Sequence, residues 1–135
     1  MSGKVAAFAS YGVVLRNVQW SWSGITPSGE VVVTLWIDEF NYRDTPATYS
    51  NQNSRDFQEW VSSLGNLERI ENLKIARDKH AGIFRVIVIK AVSETTYPRT
   101  IAEAYPRHNI IMRLVEFDEN TGKFKAELVE NAHRT

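Results

Sequence analysis

Alternation of apolar and polar positions marks a hairpin over Val18 to Phe40. On its first half Val18, Trp20 and Trp22 alternate with Gln19, Ser21 and Ser23; on its second, Val31, Val33, Leu35 and Ile37 alternate with Val32, Thr34, Trp36 and Asp38. Thr26-Pro27-Ser28-Gly29 reads as the turn, with Pro pre-setting an early φ and Gly accepting a positive one. Symmetric closure between Ile25 and Glu30 predicts Trp22 opposite Val33 and Trp20 opposite Leu35. Gln19, Ser21, Ser23, Thr34, Trp36 and Asp38 then share the second face. A bulge at Gly29 shifts this pairing by one and redistributes both faces.

The period then changes. Ser54 reads as a helix cap, with Phe57, Trp60, Val61 and Leu64 on one stripe and Gly65 as the stop. Asn66 reads as the cap of a second helix, with Leu67, Ile70, Leu73 and Ala76 or Arg77 inward and Gly82 closing it. Glu68, Arg69 and Glu71 fall on its solvated side. Ile83 to Val92 is nearly continuous apolar sequence, a strand covered on both faces and central in its sheet. Asn109 to Asp118 and Lys123 to Glu130 form a second hairpin around Asp118-Glu119-Asn120-Thr121-Gly122. Tyr11-Gly12 ends a short helix before Val13. Asn41 to Asn53 and Ser93 to His108 read as irregular, and the tail from Asn131 as loose. The expected fold is α+β. It has about five strands in a mixed or antiparallel, partly curled sheet packed on a helix pair, as a single globular domain over residues 1–135.

Composition narrows the classes. An apolar fraction of 43% with 24% charged residues suits a chain that buries its own core. Without cysteine there are no disulfides or thiolate metal sites, which fits a cytoplasmic protein. No apolar run reaches the ~20 residues of a membrane span. The net charge is zero, so a globally basic nucleic-acid binder is not indicated.

The charge is nevertheless polarised. Tyr97-Pro98-Arg99 and Tyr105-Pro106-Arg107 repeat a stacking ring and a guanidinium on a proline-stiffened stretch, and His108 and Arg113 follow. Such groups hold phosphate and stack on bases. The bland alternative is a turn signal used twice, with its arginines solvated. Trp20, Trp22 and Trp36 divide between two readings: core packing, or the wall of a pocket for a flat ligand lined also by Gln19, Ser21 and Asp38. His80, His108 and His133 are scattered, and no HExxH, nucleotide-binding or nucleophile-elbow motif occurs. No catalytic residue, metal ligand or cofactor is therefore assigned. A small metal-dependent hydrolase or nuclease would have to draw on Asp38, Glu39, Lys90 and His108, but Val88 stands where an acid is wanted two positions before the lysine.

The size, the expected curled sheet with helices after the first hairpin, the three tryptophans and the basic Tyr97–His108 stretch resemble the PUA-like group. That group includes EVE-type and ASCH-type domains, which read modified bases. The resemblance implies an aromatic pocket for one flipped base, with basic loops on the backbone. The function expected is a non-enzymatic recognition module for nucleic acid. The alternative is a module that binds a protein partner or itself, with an exposed tryptophan as anchor.

Overall fold

The computed structural model describes residues 3–129. The tail expected to be loose from Asn131, the last position of the second hairpin and His133 lie outside the described residues. Seven strands form one mixed, open sheet in the order β1-β2-β5-β6-β7-β4-β3. They are β1 (Ser23–Ile25), β2 (Val31–Trp36), β3 (Phe40–Asn41), β4 (Thr48–Ser50), β5 (Ile83–Ala91), β6 (Ile101–Phe117) and β7 (Phe124–Leu128). Among the described residues only β2 and β5 run parallel, joined through everything between Trp36 and Ile83. The chain is thus α+β as expected, with seven strands rather than five. The additional ones are β3 and β4, too short to show a period in the polar stretch after Phe40.

The first hairpin closes one residue away from symmetry. Ser23 pairs with Val33 and Ile25 with Val31. Thr26 and Glu30 close a three-residue loop in which Gly29 has φ +93°, the left-handed position of a bulged turn. Trp22 therefore lies beside Thr34, whose amide and hydroxyl both donate to the Trp22 carbonyl. The strand also begins later than the alternation predicts. The Asn17 side chain accepts from the Gln19 and Trp20 amides, and the Asn17 amide donates to Ser21 Oγ. These bonds wind Asn17 to Ser21 into a turn instead of a ladder.

β5 is central, as its apolar run requires, and its side chains divide between two cores. Phe84, Val86 and Val88 join Val31, Val33 and Leu35 under α3 (Leu64–Lys79). Ile87 and Ile89 join Val32, with Ala7 and Phe8 of α1 (Lys4–Ala9), on the opposite face. Gly12 follows α1 at φ +77°.

The expected helix pair is one four-residue turn, α2 (Phe57–Trp60), and one main helix, α3. The break falls earlier than Gly65. Ser63 caps α3 by accepting from the Asn66 amide at 3.1 Å, and the helix runs through Gly65. Gly65 is required by contact. A Cβ there would lie 2.5 Å from the Trp22 ring and 2.6 Å from the Trp20 carbonyl.

The second proline-containing stretch is not a loop. β6 starts at Ile101, so Tyr105-Pro106-Arg107 is strand, and only Tyr97-Pro98-Arg99 remains irregular. Pro106 sits in the half of β6 that, among the described residues, pairs with β5 alone, where a missing amide is tolerated.

An exposed helical Gly→Ala change gains up to ~1 kcal/mol. At Gly65 the overlap reverses the sign. Gly65→Ala is expected to destabilise by about 1–3 kcal/mol, read as a lower midpoint in urea unfolding with an unchanged slope.

Candidate functional site

Where β2 ends, the chain makes a single 3-10 turn, Ile37–Glu39, before β3. Beside this turn lies a cavity of about 600 Å³, within the range of small-molecule sites. Three of the four tryptophans line it: Trp22, Trp36 and Trp60. Tyr49, Ile89 and Ile101 add apolar wall, and Glu39, Arg69 and Arg99 are its principal charged groups.

Arg69 was expected on the solvated side of its helix. It is buried, at 5% exposure. The inward stripe of α3 runs through Asn66, Arg69, Leu73 and Ala76, while Leu64 and Leu67 are half exposed. The Arg69 guanidinium lies 5.1 Å from the Trp22 ring centre, 5.2 Å from Trp60 and 5.5 Å from Phe124. Its Nη2 donates to Asn66 Oδ1 at 2.9 Å. Asn66 is itself fixed by donating to the Val61 and Thr121 carbonyls. Among the described residues no carboxylate stands within ion-pair distance of Arg69. Burial lowers its pKa, opposed by the Tyr49, Glu39 and Asp56 charges, and a guanidinium stays protonated regardless.

Glu39 faces the same space. Tyr49, fully buried, donates its phenol to Glu39 Oε1 at 2.5 Å. Burial raises the Glu39 pKa, with the Tyr49 hydrogen bond and the Arg99 charge working against it. The Tyr49 pKa is pushed well up by burial and then by the neighbouring carboxylate.

The expected site residues separate into groups. Trp22, Trp36, Gln19 and Arg99 line the cavity. Asp38 is not in the lining; it holds Arg99, which is, in a two-pronged pair, Nη1–Oδ1 2.7 Å and Nη2–Oδ2 2.6 Å. The Arg99 guanidinium also lies 5.1 Å from the Trp36 ring centre. Ser21 is buried and structural, its carbonyl accepting from Lys4 Nζ at 2.9 Å. Trp20 is half buried and outside the cavity.

Arg107, His108 and Arg113 are elsewhere. The strand rise puts His108 roughly 23 Å along β6 from Ile101. His108, Asn109 and Ile110 bulge between the pairs Val86–Arg107 and Arg85–Ile111. The His108 ring stacks on Tyr11 at 4.2 Å and meets Ser10 Oγ at 3.0 Å. Arg107 is exposed over the Tyr105 ring, and Arg113 pairs with Glu127 across the β6–β7 ladder. Asp38 and Glu39 are therefore not gathered with His108. Among the described residues no three His, Asp or Glu side chains are placed to hold a metal ion, and no helix is long and apolar enough to cross a membrane.

Sequence reasoning missed Arg69, and treated Trp60 only as packing and Glu39 only as a weak catalytic acid. The available signal was phase: Arg69 precedes Leu73 by four and Ala76 by seven, so it shares their face. No protein-family model, no curated protein and no solved structure matches this chain.

The burial of Glu39 has a pH consequence. Its folded pKa lies above its unfolded one, so the stability it contributes is full below the ordinary carboxylate range. That contribution is lost as the pH rises through the folded value. Glu39→Gln cannot ionise and keeps an acceptor for Tyr49. It is expected to melt higher than the parent at pH 7, with the gap closing as the pH falls toward 4.5. A gap independent of pH, in thermal melts across that range, counts against this origin.

Proposed function

We propose that this chain is a non-enzymatic recognition module whose cavity takes one flat ring, a nucleic-acid base, either free or turned out of a strand. The observation that carries the reading is the cavity itself: three indoles around one space, with a buried guanidinium in its lining. Indoles offer faces to a planar group, and stacking of one base on an aromatic side chain contributes ~1–3 kcal/mol. This is the feature shared with PUA-like base readers, and the likeness enters at that level alone.

The proposed shape includes a curl of the sheet. Three residues separate β2, second in the sheet order, from β3, seventh in it. Three residues span roughly 10 Å, whereas five strand spacings in a flat sheet need roughly 24 Å. A curl that brings the β3 edge to the end of β2 reconciles the two, and the cavity then lies on the concave side.

The basic groups contribute less in this reading than the repeated Tyr-Pro-Arg motif suggests. Arg99 is neutralised by Asp38, and Arg107, His108 and Arg113 are distant from the cavity. Binding should then depend weakly on salt.

Titration of the intrinsic tryptophan fluorescence with nucleosides and short single-stranded oligonucleotides tests this, at low and moderate salt. Saturable quenching is expected, weakened about tenfold or more by Trp36→Ala and changed less than about twofold by Arg107→Ala with Arg113→Ala. Absence of quenching by every nucleoside and oligonucleotide overturns the reading. A steep salt dependence lost in the double arginine variant would return the interface to β6.

A further inference from the structure

Most polar groups lining the cavity already have protein partners. Arg99 is held by Asp38, Lys4 by the Gln19 and Ser21 carbonyls, Asp56 by the Ser54 hydroxyl. Asn51 donates to the Gly122 carbonyl and accepts from the Phe124 amide.

Among the charged groups in the lining, Arg69 and Glu39 each have one hydrogen-bonding side-chain atom held by the protein and another left open, and Arg99 Nε is likewise without a partner. Arg69 makes a single side-chain hydrogen bond, from Nη2 to Asn66; its Nε is sealed from the cavity without a partner, and among the described residues no acceptor reaches its Nη1. Glu39 accepts the Tyr49 phenol at Oε1, and among the described residues no donor reaches Oε2. The cavity thus pairs a donor in need of an acceptor with an acceptor in need of a donor. Both residues are more than half buried, where a hydrogen bond to a charged group is strengthened by the low local dielectric.

That pairing discriminates between flat ligands. A purely apolar ring leaves both groups unmet. An aromatic carboxylate satisfies Arg69 and brings a second negative charge to Glu39, with Asp56 and Glu59 also in the lining. An organic cation competes with the guanidiniums already lying over Trp22, Trp60 and Trp36. A neutral heterocycle with an acceptor and an N–H on one edge satisfies both.

Resting on the flat-ring reading, we propose that Arg69 and Glu39 are the residues that read the ligand's edge. Arg69 donates to a carbonyl or ring nitrogen, and Glu39 accepts a ring N–H. The ligand class is a neutral lactam-type heterocycle, of which hypoxanthine and uracil are the simplest base examples.

The test compares inosine with 1-methylinosine, and uridine with 3-methyluridine, by calorimetry on the full chain. Methylation replaces the N–H and leaves the ring and carbonyl. With the parent protein, methylation is expected to weaken binding about 10- to 100-fold, the worth of a hydrogen bond to a charged group. In Glu39→Gln, whose carboxamide can donate, that ratio should fall toward one, with circular dichroism checking the fold. A ratio near one in the parent overturns the proposal while leaving the flat-ring reading intact. The same ratio in parent and Glu39→Gln also overturns it, because methylation then acts by bulk. Tighter binding of 1-naphthoate than of either unmodified nucleoside reassigns the site to aromatic acids. If none of these probes binds, the flat-ring reading falls and this proposal with it.

Discussion

The buried guanidinium of Arg69 is the constraint around which the cavity end of the molecule is built. Removing a cation from water costs several kcal/mol even after relaxation, and among the described residues no carboxylate pairs with it directly. The cost is offset piecemeal. Trp22, Trp60 and Phe124 present ring faces, each desolvated contact contributing up to ~2 kcal/mol. Asn66 provides a directed acceptor, and Glu39 and Asp56 act through the field at longer range. Each contributor is fixed in turn. Gly65 lets α3 approach the Trp22 ring, Ser63 starts the helix at the phase that turns Arg69 inward, and Ser54 accepts the Trp60 indole N–H.

This arrangement explains why the tryptophans cannot be sorted into core and pocket as alternatives. Trp22 has one face against a buried cation and still lines the cavity. Trp36 carries Arg99 in the same way, and Arg99 in turn is locked by Asp38. In the function proposed above, indoles already held against cations would lower the ordering cost of binding a ring. The guanidinium of Arg99, read from the sequence as a phosphate contact, is paired with Asp38 and lies over the Trp36 ring.

Sequence pattern carried the parts of the fold whose signal is local. The run from Ile83 is central because every second residue has a core to enter on either side, as Val86 and Ile87 do. Gly29 signalled its own bulge, and with it the one-residue shift that puts Trp22 beside Thr34. What was not legible depends on partners far along the chain. Arg69 is a good helix residue on any face, and much of what makes the inward face tenable lies far along the chain, in Trp22 and Phe124, 47 positions before and 55 after it. The first half of β6, from Ile101 to His108, hid behind Pro98 and Pro106 because a proline is compatible with a strand only where one side is unpaired, which sequence does not show. The strands β3 and β4 hid because Phe40–Asn41 takes its order from β4, and Thr48–Ser50 in turn from β7, rather than from a period of their own.

The turn between β6 and β7 is exposed at Asp118, Glu119 and Asn120, the kind of hairpin tip where proteins ordinarily accept inserted sequence. Here its far end is a structural strut. The Thr121 carbonyl receives Asn66 Nδ2, and the Asn66 side chain lies where any Cβ on Gly122 would be. Gly122 also accepts from Asn51, and its φ is +85°. Asn66 is what orients Arg69. The shape of a surface hairpin is therefore transmitted to the cavity through two amide side chains, Asn66 beneath Arg69 and Asn51 in the lining itself. Grafting, tagging or loop exchange at this turn would alter the cavity lining without touching any residue within it.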